Sequence, residues 1–161
     1  MTWPIKEQVM QALEARLDVI SPTLTASVRP SSRVDAVQRP TTAVADINPA
    51  HGVIVVVEDD AEPAEATPQE FLTWRLPVDL YCYVAQAEVA ATPIDALISV
   101  MEADVMKGLA DEAWRVGLGG LIETVSFDAE RRFAADGGLQ GTVVRVLLTY
   151  RHRFTDPYSR V

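Results

Sequence analysis

Gly141-Thr142-Val143-Val144-Arg145-Val146-Leu147-Leu148-Thr149-Tyr150-Arg151-His152-Arg153-Phe154 is the stretch from which the fold can be argued. Val144, Val146, Leu148, Tyr150 and Phe154 fall on one side of an extended chain. Arg145, Thr149, Arg151 and Arg153 fall on the other. Side chains alternate across a strand, so this is one long strand with an apolar and a charged face. Leu121 to Phe133 is also strand-like, and Ala135-Asp136-Gly137-Gly138 supplies a turn between the two. A hairpin of this length needs a sheet to belong to. Its charged face must meet either water or another subunit.

Working back toward the N-terminus, Phe71 to Val84 alternates in the same way. Trp74, Leu76, Val78, Leu80, Cys82 and Val84 share one face; Arg75, Asp79, Tyr81 and Tyr83 share the other. Pro77 suits an edge or a bulge better than a central position. The β-branched run Val53 to Val57 suits a strand covered on both faces. Leu24 to Arg29 reads as a further short strand, and Val34 to Val37 as an extended segment.

Two helices complete the set. Ile5, Val9, Leu13 and Leu17 recur every four residues after Pro4, giving an amphipathic helix that ends near Ile20. Thr92-Pro93 opens the second, with Ile94, Leu97, Ile98, Met101, Val105 and Leu109 as its buried stripe. Glu102, Asp104, Lys107, Asp111 and Glu112 belong on or near its other face, and Gly117 to Gly120 ends it. The expectation is one α+β domain over residues 1–161. Two helices pack on a mainly antiparallel sheet in the order α-β-β-β-α-β-β, with mobile regions about 30–51 and 58–70.

Composition sets the outer limits. A chain of 161 residues buries roughly 70% of its unfolded surface as one domain. Its longest apolar run is far short of the ~20 residues a membrane helix needs, and charged residues interrupt the first helix where a secretory signal would be apolar. The expectation is a soluble protein made in the cytoplasm. Cys82 is the only cysteine, which excludes an internal disulfide. The formal charge of −9 opposes general nucleic-acid binding.

That charge is unevenly placed. Glu58, Asp59, Asp60 and Glu62 lie in a stretch with no basic residue, whereas Arg131, Arg132, Arg145, Arg151, Arg153 and Arg160 cluster toward the end. Two such regions suit head-to-tail contacts between copies; each also reads as ordinary solvated surface.

Reactive chemistry is harder to find. His51 and His152 are far apart in sequence, and His152 lies between two arginines whose charge opposes a metal ion. The acidic run lacks the alternating spacing of a calcium loop. Gly117 to Gly120 follows a helix, so it is not a phosphate-binding loop. Cys82 faces inward as a small apolar residue. No nucleophile–base set stands out, so the expectation is a non-enzymatic protein without a cofactor.

Laid out in order, these elements resemble the tail terminator (tail completion) proteins of long-tailed bacteriophages. The first helix, from Ile5 to Leu17, is similar to that family's opening helix. The second helix from Ile94 to Ala113, the following Gly119-Gly120 and the closing hairpin match its layout. Val146-Leu147-Leu148-Thr149-Tyr150-Arg151 resembles its last strand. The resemblance implies a virion protein, assembled in the host cytoplasm into a homo-hexameric ring. The ring would cap the tail tube, end its polymerisation and join the tail to the head–neck connector. Arg131, Arg132, Arg151 and Arg153 would then lie at a subunit or tail-tube contact. Glu58, Asp59, Asp60 and Glu62 would face a channel that DNA crosses without specific binding. Another neck or connector protein, or a small ligand-binding or enzymatic α+β domain lined by Asn48 and His51, remains an alternative.

Overall fold

The computed structural model describes residues 2–19, 34–38, 52–64, 71–85, 93–134 and 139–160. Along the chain run α1 (Ile5–Val19), β1 (Val34–Gln38), β2 (Gly52–Glu58), β3 (Glu62–Pro63) and β4 (Phe71–Ala85). They are followed by α2 (Ile94–Leu109), α3 (Glu112–Gly117), β5 (Thr124–Ala134) and β6 (Leu139–Arg153). The fold is α+β, as expected. The strands form one sheet in the order β1-β2-β4-β6-β5, with β3 also pairing β4. Every pairing is antiparallel except that of β1 with β2.

The core lies between α1, α2 and one face of the sheet. Ile5, Val9, Met10, Leu13 and Leu17 of α1 are buried, with Leu97, Ile98, Met101, Val105 and Leu109 of α2. Beneath them lie Ile54 and Val56, Leu76 to Cys82 at every second residue, and Val144, Val146, Leu148 and Tyr150. The periods read from the sequence are those the core uses.

Several expectations need correction. β4 is the central strand, flanked by β2 and β3 on one side and β6 on the other, although it contains Pro77. The proline is tolerated because its missing N–H points at a break in the neighbouring ladder. β2 ends at Glu58 and β3 begins at Glu62, one residue out of register, and Asp59 N–H donates to the Pro77 carbonyl at 3.0 Å. Within the 58–70 region, Glu58 and Glu62–Pro63 are thus strand residues paired with β4, joined by Asp59 to Ala61. Ala64 N–H closes this stretch onto the Thr73 carbonyl at 2.9 Å. Leu24 to Arg29 and most of 30–51 lie outside the described residues, as do 65–70 and the hairpin turn at 135–138.

The second helix does not continue to Ala113. It stops at Ala110, and Asp111 starts α3 by accepting the Ala113 N–H at 3.0 Å. Gly119 and Gly120, at φ of 62° and 82°, then turn the chain toward β5. Thr92, expected to cap α2, is outside the described residues. Phe154, expected on the core face, lies past the end of β6 and is 63% exposed.

The segment after β6 returns to the start of the chain. The Pro157 carbonyl accepts the Ile5 N–H at 2.8 Å, satisfying a donor that a helix start leaves without an intrahelical partner. Arg160 donates to the Leu118 carbonyl at 2.9 Å. Asp156 anchors the turn through the Tyr158 N–H at 3.0 Å and the Ser159 hydroxyl. These two hydrogen bonds, the hydroxyl's first, hold its carboxyl below the usual carboxylate range.

Candidate interaction surface

Both long helices pack on the same face of the sheet, so the residues of opposite parity form an outer face. Across β4 and β6 the register places Arg75 beside Thr149, Pro77 beside Leu147, Asp79 beside Arg145 and Tyr81 beside Val143. Val57, Pro77, Tyr81, Val143 and Leu147 are each half-buried there. The outer face is thus more apolar than the arginines of β6 alone suggest.

At its centre Arg145 grips Asp79. Nε lies 2.6 Å from Oδ1 and Nη2 lies 2.8 Å from Oδ2, while Asp59 stands 3.6 Å from the same Nη2. The hydrogen bond to Asp79, followed by that carboxylate's charge, holds Arg145 still more firmly in its cationic form. Nearer the end of the strands, Arg151 reaches Glu123 at 2.9 Å and the Thr73 hydroxyl at 3.0 Å. The Arg145–Asp79 pair joins two strands of the sheet, and the Arg151–Glu123 pair ties β6 to the residue just before β5.

The four arginines singled out from the sequence do not share one surface. A bulge in β5 between Phe127 and Ala129 shifts its alternation, setting Arg131 opposite Val143 and Arg132 opposite Thr142. Arg132 lies on the helix side of the sheet, along one stripe of α2. It donates to the Ser99 hydroxyl at 2.7 Å and stands 3.8 Å from Asp95 and 3.6 Å from Glu102. Arg151 is on the outer face, and Arg153 is exposed at the end of β6.

The acidic residues stay close together. Glu58 stands 3.8 Å from Lys6, Asp59 leans toward Arg145, and Asp60 and Glu62 are exposed on the ladder break beside Pro77. Asp60 and Glu62 form no salt bridge among the described residues.

Two features escaped the sequence reading. Glu102 and Asp104, expected on the outer side of α2, are buried, at 8% and 5% exposure. The hairpin reaches Glu102 through Arg132, and periodicity within one helix carries no record of such a neighbour. Glu102 Oε1 is buried without a hydrogen bond to any described residue. His152, counted only as flanked by arginines, shares the parity of the core face. Its Nε2 accepts the Trp74 indole N–H at 2.8 Å, and Nδ1 donates to the Arg153 carbonyl at 2.8 Å; the rings stack at 6.2 Å. That parity was available in the sequence.

His51 and Asn48 lie outside the described residues. Among the described residues no group of three or more His, Cys, Asp or Glu is arranged to hold a metal ion. No described helix is long and apolar enough to cross a membrane. Cys82 is buried, and burial, aided by the charge of Glu102, raises its thiol from 9.0 to about 12. The chain matches no protein-family model, and no curated protein matches it in sequence.

Proposed function

We propose that this chain is a structural virion protein of a long-tailed bacteriophage. In this reading copies form a closed, hexameric ring that caps the tail tube, ends its polymerisation and joins the tail to the head–neck connector. Its partners are further copies of itself, the tube protein and a connector protein, and DNA passes without specific contact. Its place is the virion tail, reached from the host cytoplasm. The role is one of surfaces, with no reaction catalysed.

The observation that carries the reading is the layout. An amphipathic opening helix, a second helix leading to Gly119-Gly120 and a long closing hairpin occur in the order of the tail terminator proteins. The outer sheet face supports it, because the two long described helices cover the opposite face. The acidic ladder break fits a channel lining, where negative charge repels passing phosphates.

Light scattering with negative-stain imaging of the purified protein, alone and with purified tail tubes, tests the proposal. A ring with a central hole, seated on tube ends, is the expected result. A protein that stays monomeric and ignores tube ends overturns it.

A further inference from the structure

The contact between Trp74 and His152 fixes the protonation state of its own imidazole. An indole N–H can only donate, so His152 Nε2, 2.8 Å away, is the acceptor and carries no proton. The single proton of the ring then sits on Nδ1, which donates to the Arg153 carbonyl at 2.8 Å. The two ring planes lie 16° apart, so the indole N–H meets the imidazole close to its plane, where the lone pair points. This arrangement needs the neutral ring.

Several elements surround it. β4 brings Trp74 and Leu72, which lies opposite His152, and Pro63 of β3 pairs with Trp74. On β6, Tyr150 tilts against the imidazole at 6.5 Å, and Arg151 and Arg153 flank it in sequence. In the following turn Asp156 is engaged first by Ser159 and the Tyr158 N–H, and is near enough for Arg153 and His152 to act on its charge. Glu58, whose charge adds to burial in raising the Tyr150 phenol, is paired with Lys6 of α1 at 3.8 Å. Glu62 pairs with Arg75, on the opposite face from Trp74. The arginines oppose a positive imidazole and Asp156 favours one. With those charges offsetting one another, the hydrogen bonds decide the outcome.

A proton on Nε2 turns that acceptor into a donor and sets two N–H groups against each other. The Nδ1 contact responds in the opposite sense, because an imidazolium donates a stronger, charge-assisted hydrogen bond to the Arg153 carbonyl. The ring therefore keeps the carbonyl and gives up the indole. Trp74 is half-buried and packs on the rim of the core, so its indole can turn outward while the sheet stays intact. The turn that begins at Arg153, and whose Pro157 carbonyl holds the Ile5 N–H, remains docked.

We infer that His152 is a proton-operated catch, which holds the Trp74 indole while unprotonated and releases it on acidification. The contact is complete at high pH and is lost as pH falls through the range in which His152 binds its proton. The device alters an aromatic surface at one end of the sheet, and it stands independently of the ring reading.

Nuclear magnetic resonance of the full chain tests it, following the indole and His152 ring signals from about pH 8 to about pH 5. Trp74→Phe assigns the indole signal among the three tryptophans. His152→Gln supplies an acceptor oxygen that takes no proton in this range. In the wild type the Trp74 indole signal should shift in step with protonation of His152, while the Trp3 and Trp114 indoles and the Ile5 amide stay in place. In His152→Gln the Trp74 signal should not move. The wild-type thermal midpoint should also fall by about 3 °C relative to that variant between the two pH values. A Trp74 indole that stays put while His152 titrates overturns the inference, as does a His152 ring that takes no proton before the chain unfolds. Those two outcomes need only the wild type. An equal shift in His152→Gln, or an Ile5 amide that moves together with Trp74, overturns it as well.

Discussion

Arg145 and Asp79 face each other across β6 and β4 and meet through two parallel hydrogen bonds of 2.6 and 2.8 Å. The pair joins the two longest strands at the middle of the outer face. It is partly open to solvent, so screening limits its strength. Replacing Arg145 by Ala, Asp79 by Ala, and both together should give a coupling of about 1 kcal/mol in a double-mutant cycle read by urea unfolding. Strict additivity would mean that the pair contributes nothing beyond its parts.

Arg132 should be more costly to remove than its half-exposed position suggests. Its loss leaves buried Glu102 with no salt-bridge partner among the described residues. Arg132→Ala is expected to destabilise by about 2 kcal/mol, and adding Glu102→Gln should return part of that loss. Unfolding midpoints of the two variants compare them directly. If the second substitution brings no recovery, Arg132 acts through packing alone.

The indole of Trp74 depends on His152 for its hydrogen-bond acceptor. His152→Phe preserves a ring at the site but leaves the indole N–H without that partner. A loss of about 1 kcal/mol is expected, with a shift of the Trp74 indole proton resonance. An unmoved resonance would show that the 2.8 Å contact is absent in solution.

Cys82 and Tyr150 predict the alkaline limit of the fold. Burial raises the thiol from 9.0 and, together with the charge of Glu58, the phenol from 10.0, each to about 12. In the unfolded chain both ionise sooner, so their contribution is complete below about pH 9 and is lost as pH rises toward 12. Urea midpoints should fall across that window. A thiol reagent at pH 8 should leave native Cys82 unmodified and label it once urea unfolds the chain; rapid labelling of the native protein would contradict its burial.

Much of this architecture was legible because α1, β4 and β6 each bury one face against the same core. Val9 and Leu13, Leu76 and Leu80, Val144 and Val146 carry the pattern of their own elements. What could not be read was pairing between elements. Pro77 argued against a central strand, yet the partner ladder breaks opposite it, through residues some eighteen positions earlier. Arg132 looked like one member of a basic cluster, but a bulge four residues before it redirects it onto α2. Asp79 and Arg145 were both visible as outward-facing; that they meet depends on strand register, which a single sequence does not encode locally.

The strand order also bears on how the protein is made. β4 sits at the centre of the sheet, yet its longest partner is β6, which is made well after it. Until residues 139–153 emerge, one edge of β4 stands open, and α1 lacks the carbonyl of Pro157 that closes its first turn. The nascent chain therefore carries β4 with one edge unpaired while the residues between β4 and β6 are made, and completion of the sheet waits for β6. Products truncated before β6 should aggregate instead of accumulating as a smaller domain.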